Sequence, residues 1–285
     1  MTLESLTGSE MDLEGLWDVE ATFHFTDPND LRRTLRAFFN DAMDRDSLSD
    51  HTVLVTGFPA ESFIIDDDAD EEPIIPRGSK TLYFENSKGI FVTMPGPPHE
   101  IVSRMFFRQL DGTLRDMNCL DDIVPTGGAE RAMVNVNKQP DESWRPSGVK
   151  YITCALEAGV SESDRTLHHD AKIWLEHPDS HVTQVITIKI SRTRPEIVFS
   201  VWKIAAEERD TQAQHPPRAI VDHGVRAILA DNRPVADGRI RLSFEDFFER
   251  RPRSGTAEKD IVFSAREIGG IARVVWGEMG FLPQQ

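Results

Sequence analysis

The sequence contains few cysteines, no long apolar run and no recognisable export signal. Cys119 and Cys154 are the two cysteines among 285 residues, which argues against a disulfide scaffold or a cysteine-rich zinc module and predicts a reducing compartment. No apolar stretch approaches the roughly 20 residues of a membrane-spanning helix. The N-terminal residues have neither the basic nor the apolar region of a secretory signal. We therefore expect an intracellular protein, cytoplasmic or nuclear, with no membrane partner.

Positive charge is also in short supply. The chain has 32 basic and 48 acidic residues, for a net charge of -16. Indiscriminate binding of nucleic acid depends on Lys and Arg neutralising phosphates, so this balance counts against it. Any contact with nucleic acid must therefore use a local basic patch. The composition leaves a protein partner or a homo-oligomer open.

Apolar residues alternate along the chain between helical and strand-like patterns. Spacings of three and four indicate amphipathic helices, and continuous β-branched runs are typical of buried strands. Helices are predicted at about 31–42, 99–110, 164–175 and 264–276, and strands at about 80–84, 90–94, 133–137, 150–156, 182–190 and 196–204. We expect an α/β protein with a central mixed β-sheet flanked by helices. The simplest partition is one domain over residues 1–285, with an N-terminal helical addition and a C-terminal addition of strands and a helix.

Two carboxylates follow two neighbouring apolar runs. Asp141 comes after the run 133–137, and Glu157 ends the run 150–156. A lone carboxylate at a buried strand end is costly, and a divalent cation would remove that cost. Mg²⁺ takes oxygen ligands and usually keeps waters beside one or two carboxylates. The pattern therefore predicts a site for a hard divalent cation.

One row of charges lies on the helix predicted at 99–110. Glu100, Arg104 and Arg108 are spaced by four residues, so they share a helix face. Glu100 can pair with Arg104 as a structural feature of the surface. The same row can present the two arginines to a nucleic-acid backbone.

Other polar side chains give weaker indications of chemistry. A zinc site built from histidines is disfavoured, because cysteine ligands and a helical His-Glu-x-x-His are absent. A serine nucleophile is disfavoured as well, and the serines before the third predicted helix are expected to cap it. The residues concerned are His168, His169, His177, His181, Ser161 and Ser163.

Gln139-Pro140-Asp141, followed by Glu157-Ala158-Gly159, resembles the PD-(D/E)XK signature of the restriction-endonuclease-like superfamily. The stretch from Leu156 to Glu162, the helix containing Asp170-Ala171-Lys172 and the strand 182–190 are similar to a branch abundant in filamentous fungi. The resemblance covers roughly residues 95–205, leaving an N-terminal addition at 1–94 and a C-terminal addition at 206–285. It implies the order helix, three antiparallel strands, helix, strand.

The resemblance also implies roles for single residues. Asp141 and Glu157 would bind Mg²⁺ or Mn²⁺, with the backbone carbonyl of Ala158, and Glu100 would match an acid that some members place on the first helix. The lysine that usually follows the glutamate is missing, because Gly159 stands there. Lys172 is the first candidate to replace it and to orient the attacking water. The alternatives are Lys189 and Lys138.

These observations lead to a functional hypothesis with two alternatives. The first reading is a metal-dependent phosphodiester hydrolase acting on nucleic acid, with Asp141, Glu157, Lys172 and Glu100 as catalytic residues. In the second, the fold is kept, catalysis is lost and the protein serves as an interaction or scaffold module. An enzyme of other chemistry is a third reading that no motif demands.

Overall fold

The chain divides into two compact units. The structure, a computed structural model, describes residues 17–63, 72–160, 164–205 and 217–283. The first unit comprises Met1–Pro97 and Glu130–Gln139, and the second comprises Pro98–Ala129 and Pro140–Gln285. This division does not decide whether the chain is the single domain expected from the sequence, so that expectation and its boundaries stay predictions. The caps expected at Ser161 and Ser163 lie outside the described residues.

Strands and helices alternate through both units. In chain order they are β1 (Ala21–His24), α1 (Pro28–Arg45), β2 (His51–Thr56), β3 (Lys80–Phe84), β4 (Gly89–Met94), α2 (Pro97–Asp116), β5 (Ile123–Pro125), β6 (Arg131–Met133), β7 (Val136–Lys138), β8 (Glu142–Pro146), β9 (Cys154–Val160), α3 (Asp164–Glu176), β10 (Gln184–Ile190), β11 (Glu196–Ile204), β12 (Ala219–Ala230), β13 (Arg233–Ala236), β14 (Ile240–Leu242), α4 (Phe244–Phe248), β15 (Ile261–Phe263) and α5 (Ala265–Glu278). None of the helices in the described ranges is long and apolar enough to cross a membrane.

The first unit is a six-stranded sheet with one long helix. The strand order is β1-β2-β4-β3-β7-β6, in which β1 and β2 are parallel and the other neighbours are antiparallel. The carboxylate of Asp27 caps α1 by accepting from the backbone N–H groups of Asn29 and Asp30. Leu31, Leu35 and Phe39 form the buried stripe of α1 and pack on the sheet. The helix and the hairpin predicted for this part of the chain are confirmed.

The second unit contains a seven-stranded mixed sheet in the order β13-β12-β11-β10-β9-β8-β5. β5, β8 and β9 form an antiparallel meander, and α3 then leads to β10, which is parallel to β9. The elements from α2 to β10 belonging to this unit therefore run helix, three antiparallel strands, helix, strand. This is the order that the resemblance implies. The first strand of the meander, which the sequence pattern did not locate, is β5.

Two expected strand positions were wrong, and both concern the acids. The run 133–137 is not one strand. It contains the turn of the β6–β7 hairpin, where Asn135 adopts a left-handed φ of 63°. Asp141 therefore precedes β8 instead of ending a strand. Likewise, β9 begins at Cys154 and Glu157 lies at its centre. The strand starts late because Thr153 is turned away, and its hydroxyl donates to the Phe247 carbonyl.

The two faces of the large sheet are covered by different helices. Leu156, Ala158 and Val160 of β9 belong to a buried cluster that includes α2 and α5. Side chains alternate across a strand, so Glu157 points to the opposite face. There α3 packs against β9 and β10.

Candidate metal site beside β8 and β9

Asp141 is joined to the two residues that flank Glu157. Its backbone N–H donates to the carbonyl of Leu156 at 3.1 Å. The backbone N–H of Ala158 donates to Asp141 Oδ2 at 2.6 Å. Asp141 therefore lies beside the centre of β9 although it is 16 positions before Glu157 in the sequence. The fold brings the two predicted ligands to neighbouring positions of the chain.

The first helix of the second unit also holds Asp141. His99 lies in the first turn of α2, and its Nε2 is 2.9 Å from Asp141 Oδ1. Both side chains are nearly closed to solvent, with 2% of the imidazole and 8% of the carboxylate exposed. Each carboxylate oxygen of Asp141 thus has a nitrogen partner. Sequence reasoning missed His99, which lies at the start of a predicted helix without any metal-ligand spacing.

Glu157 is held from the other side of the sheet. Its side chain is fully buried, and Trp174 Nε1 of α3 donates a hydrogen bond to Glu157 Oε1. A charge at this depth requires such a donor, since an unpaired buried carboxylate is very costly. The sequence analysis placed Trp174 in an apolar core stripe and did not identify it as a partner of Glu157.

Ala158 contributes its backbone at the same place. In an antiparallel pair the N–H and C=O of one residue point to the same neighbour. The N–H of Ala158 points to Asp141, so we infer that its carbonyl is directed to the same edge of β9. The predicted oxygen donors are therefore two carboxylates and one carbonyl on adjacent stretches of chain.

The three lysines that might replace the missing one lie in different environments. Lys189 of β10 pairs in register with Gly159 and forms an ion pair with Asp164 at 2.9 Å. Lys172 lies on α3 two residues before Trp174, and residues at that spacing do not share a helix face. Its charge, after burial, contributes to lowering the pKa of both His168 and His169. The third, Lys138, is buried in β7 of the first unit.

The charged row of α2 is at the surface, as expected. Arg104 Nη2 donates to Glu100 Oε2 at 3.3 Å, with side chains 74% and 50% exposed. Arg108 is also exposed. The pairing of Glu100 with Arg104 is weak at this exposure. The arginines therefore remain accessible to an anionic partner.

Glu142 is a further acid that the sequence analysis did not single out. Burial raises its pKa to about 7, the nearby Arg104 opposes this shift, and Asp141 and Glu100 add to it. Glu142 faces Leu156 in the β8–β9 ladder. Its position directly after Asp141 was the available signal, because alternation places it on the face where α2 packs.

The chemistry of the predicted donors suits a hard cation. Carboxylate and carbonyl oxygens are the ligands that Mg²⁺ and Mn²⁺ prefer. Within the described ranges, however, no group of three or more His, Cys, Asp or Glu side chains could hold a metal ion. A cation bound here would thus rely on two carboxylates, the Ala158 carbonyl and water. Neither cysteine offers an alternative, since both thiols are buried and burial raises the pKa of Cys119 to about 11.

Comparison with known proteins adds a distant structural likeness. No protein-family model matches the sequence, and no curated protein matches it. Among solved structures, the chain is similar to a candidate nuclease of DUF820 from Anabaena variabilis, with a TM-score of 0.39 and 9% identity. The match covers 67% of this chain and 90% of that chain. A likeness at this level establishes neither activity nor substrate, and the fungal branch of the superfamily stays a prediction.

Proposed function

We propose that this chain is a metal-dependent phosphodiester hydrolase acting on nucleic acid, with Asp141 and Glu157 as ligands of Mg²⁺ or Mn²⁺. The observation that carries the proposal is the pair of hydrogen bonds joining Asp141 to Leu156 and Ala158, on either side of Glu157. This arrangement gives two carboxylates and a carbonyl from adjacent strands. A bound cation would supply a Lewis acid and an activated water.

The remaining residues of the chain have supporting roles in this proposal. His99 fixes the carboxylate of Asp141 through the 2.9 Å contact. Arg104 and Arg108, exposed on α2, contact the phosphate backbone, and Glu100 keeps Arg104 extended along the helix. Lys189 takes the part of the missing lysine, because it lies opposite Gly159.

Cleavage assays test this proposal. Plasmid DNA, single-stranded DNA and RNA are incubated with the protein and Mg²⁺, Mn²⁺ or EDTA. We expect cleavage with metal alone, and its loss in Asp141→Asn and in Glu157→Gln. Asp222→Asn is the matched control, since Asp222 pairs with Lys203 and His223 elsewhere in the second unit. Equal cleavage by all four proteins would refute the assignment.

A second function is favoured by the burial of the acids. Glu157 is fully enclosed and Asp141 is almost so, which is unusual for groups that must reach a solvated cation. In this alternative the nuclease-like fold is catalytically inactive and serves as an interaction module. Calorimetric titration with Mn²⁺ separates the two: heat of binding at millimolar metal supports the hydrolase, and no heat with no thermal shift supports the module.

A further inference from the structure

Trp174 is the aromatic residue of α3 that reaches the sheet at Glu157. Leu167, Asp170, Ala171 and Trp174 lie at helical spacings of three, four and seven, so they share one face. All four are buried, and 1% of Trp174 is exposed. The indole therefore has a fixed position in the layer between α3 and β9.

The contact made by this indole is a directional one. Trp174 Nε1–H is a donor only, and it is directed to Oε1 of Glu157. A carboxylate has about four acceptor positions. One donor on Oε1 therefore orients the group without using all of its capacity to bind a cation. Hydrogen bonds of this kind to a ligating carboxylate commonly set its orientation in metal sites.

We propose that Trp174 is a positioning residue, whose indole N–H holds the Glu157 carboxylate in the orientation that binds the divalent cation. The inference rests on the proposed function, because it assigns a role toward the same cation. Trp174 belongs to α3 and to none of the residues of the PD-(D/E)XK pattern. The geometry, a buried donor on a buried carboxylate, gives the indole this role.

The fold provides a matched control for this contact. Trp202 of β11 also lies on the α3 face of the sheet, and its Nε1 donates to Thr187 Oγ1 at 2.8 Å. Thr187 is directly opposite Glu157 in the β9–β10 ladder. Replacing Trp202 by Phe thus removes an equivalent indole hydrogen bond beside the site, but from a neutral hydroxyl. The two variants differ in which acceptor loses its donor.

The experiment measures Mn²⁺ affinity by calorimetry for wild type, Trp174→Phe and Trp202→Phe, with the thermal midpoint of each protein. We expect Trp174→Phe to weaken Mn²⁺ binding by roughly 10–100-fold, the usual loss when such a partner is removed. Trp202→Phe is expected to bind Mn²⁺ as wild type does, even if both variants lose similar stability. A merely structural role for Trp174 would leave the affinities of the two variants equal.

The outcomes separate this inference from the proposed function. Wild-type binding with unchanged affinity in Trp174→Phe overturns the positioning role and leaves the hydrolase proposal standing. Tighter binding in Trp174→Phe also overturns it, because the indole would then compete with the cation. No Mn²⁺ binding by wild type overturns the proposed function and this inference with it.

A second measurement applies if Trp174→Phe does not fold. In ¹⁵N-labelled wild type, the indole N–H signals of Trp174 and Trp202 are followed during titration with Mg²⁺. We expect the Trp174 signal to shift with the midpoint found by calorimetry and the Trp202 signal to stay in place. An unshifted Trp174 signal at saturating Mg²⁺ overturns the inference.

Discussion

Lys189 lies directly opposite Gly159 in the parallel ladder between β10 and β9. Neighbouring strands are about 4.8 Å apart, so the lysine occupies the position beside the one that the PD-(D/E)XK pattern gives to a lysine. Because the register also places Thr187 opposite Glu157, Lys189 emerges on the same face as Glu157. The tertiary structure thus favours Lys189, where the sequence pattern favoured Lys172.

The first prediction is that Lys189→Ala abolishes metal-dependent cleavage while Lys172→Ala retains it. The reason is that Lys172 does not share a helix face with Trp174, the α3 residue that contacts Glu157. Cleavage rates at saturating Mn²⁺ decide between them, and Lys138→Met is measured alongside as the third lysine. An active Lys189→Ala with an inactive Lys172→Ala or Lys138→Met would contradict the prediction.

The second prediction concerns the arginines of α2. Replacing both Arg104 and Arg108 by Ala should weaken binding of nucleic acid to a similar degree for all sequences. The slope of log affinity against log salt should become shallower by about 0.9 for each lost phosphate contact on duplex DNA. Filter binding or anisotropy at several salt concentrations provides the measurement. Arg266→Ala, an exposed arginine of α5, is the control and should keep the wild-type slope.

A third prediction follows from the ion pairs around Glu258. Hydrogen bonds from Arg250 and Arg253 hold the pKa of Glu258 well below its ordinary value of 4.5. A carboxylate with a lowered pKa in the folded state stabilises the protein above its ordinary pKa, and that contribution is lost as pH falls below it. Glu258→Gln should therefore lower stability at pH 7 and flatten the loss of stability below about pH 4.5.

Denaturant unfolding at several pH values measures this effect. Glu245→Gln serves as the control, because Glu245 is 60% exposed and pairs with Arg251 at 3.4 Å. We expect its acid profile to follow that of wild type. An unchanged acid profile in Glu258→Gln would show that the arginine pair does not contribute to stability through this carboxylate.

The fourth prediction uses two adjacent glycines of α5. A Cβ at Gly270 would meet nothing within 4 Å, whereas one at Gly269 would lie 3.3 Å from the Pro234 carbonyl oxygen. Ala is favoured over Gly inside a helix by about 1 kcal/mol. Gly270→Ala should therefore stabilise the protein by about that amount. Gly269→Ala should gain less or destabilise it, because β13 must shift.

Thermal and urea unfolding of the two variants provide the comparison, and each variant is the control for the other. Equal stabilisation by both would mean that the approach of β13 to α5 near Pro234 is looser than the structure indicates. A loss of stability in Gly270→Ala would contradict the exposed helical position of that residue.

The sequence by itself determined the local elements and the identity of the acids. Periodicity indicated α1 and α5, and Ser264 indicated the N-cap of α5, which the structure shows as a capping box with Glu267. These features depend on residues three or four positions apart, so neighbouring side chains suffice to specify them. Asp141 and Glu157 could be selected in the same way, from short patterns at the ends of apolar runs.

The tertiary structure decided how those acids are held. His99, Asp141, Glu157 and Trp174 come from two helices and two stretches of sheet, and the position of Lys189 depends on the register of β9 with β10. Strand register and helix docking are long-range properties, and a slip of one residue would turn Glu157 to the other face. No local pattern could therefore have paired the indole with Glu157 or preferred Lys189 to Lys172.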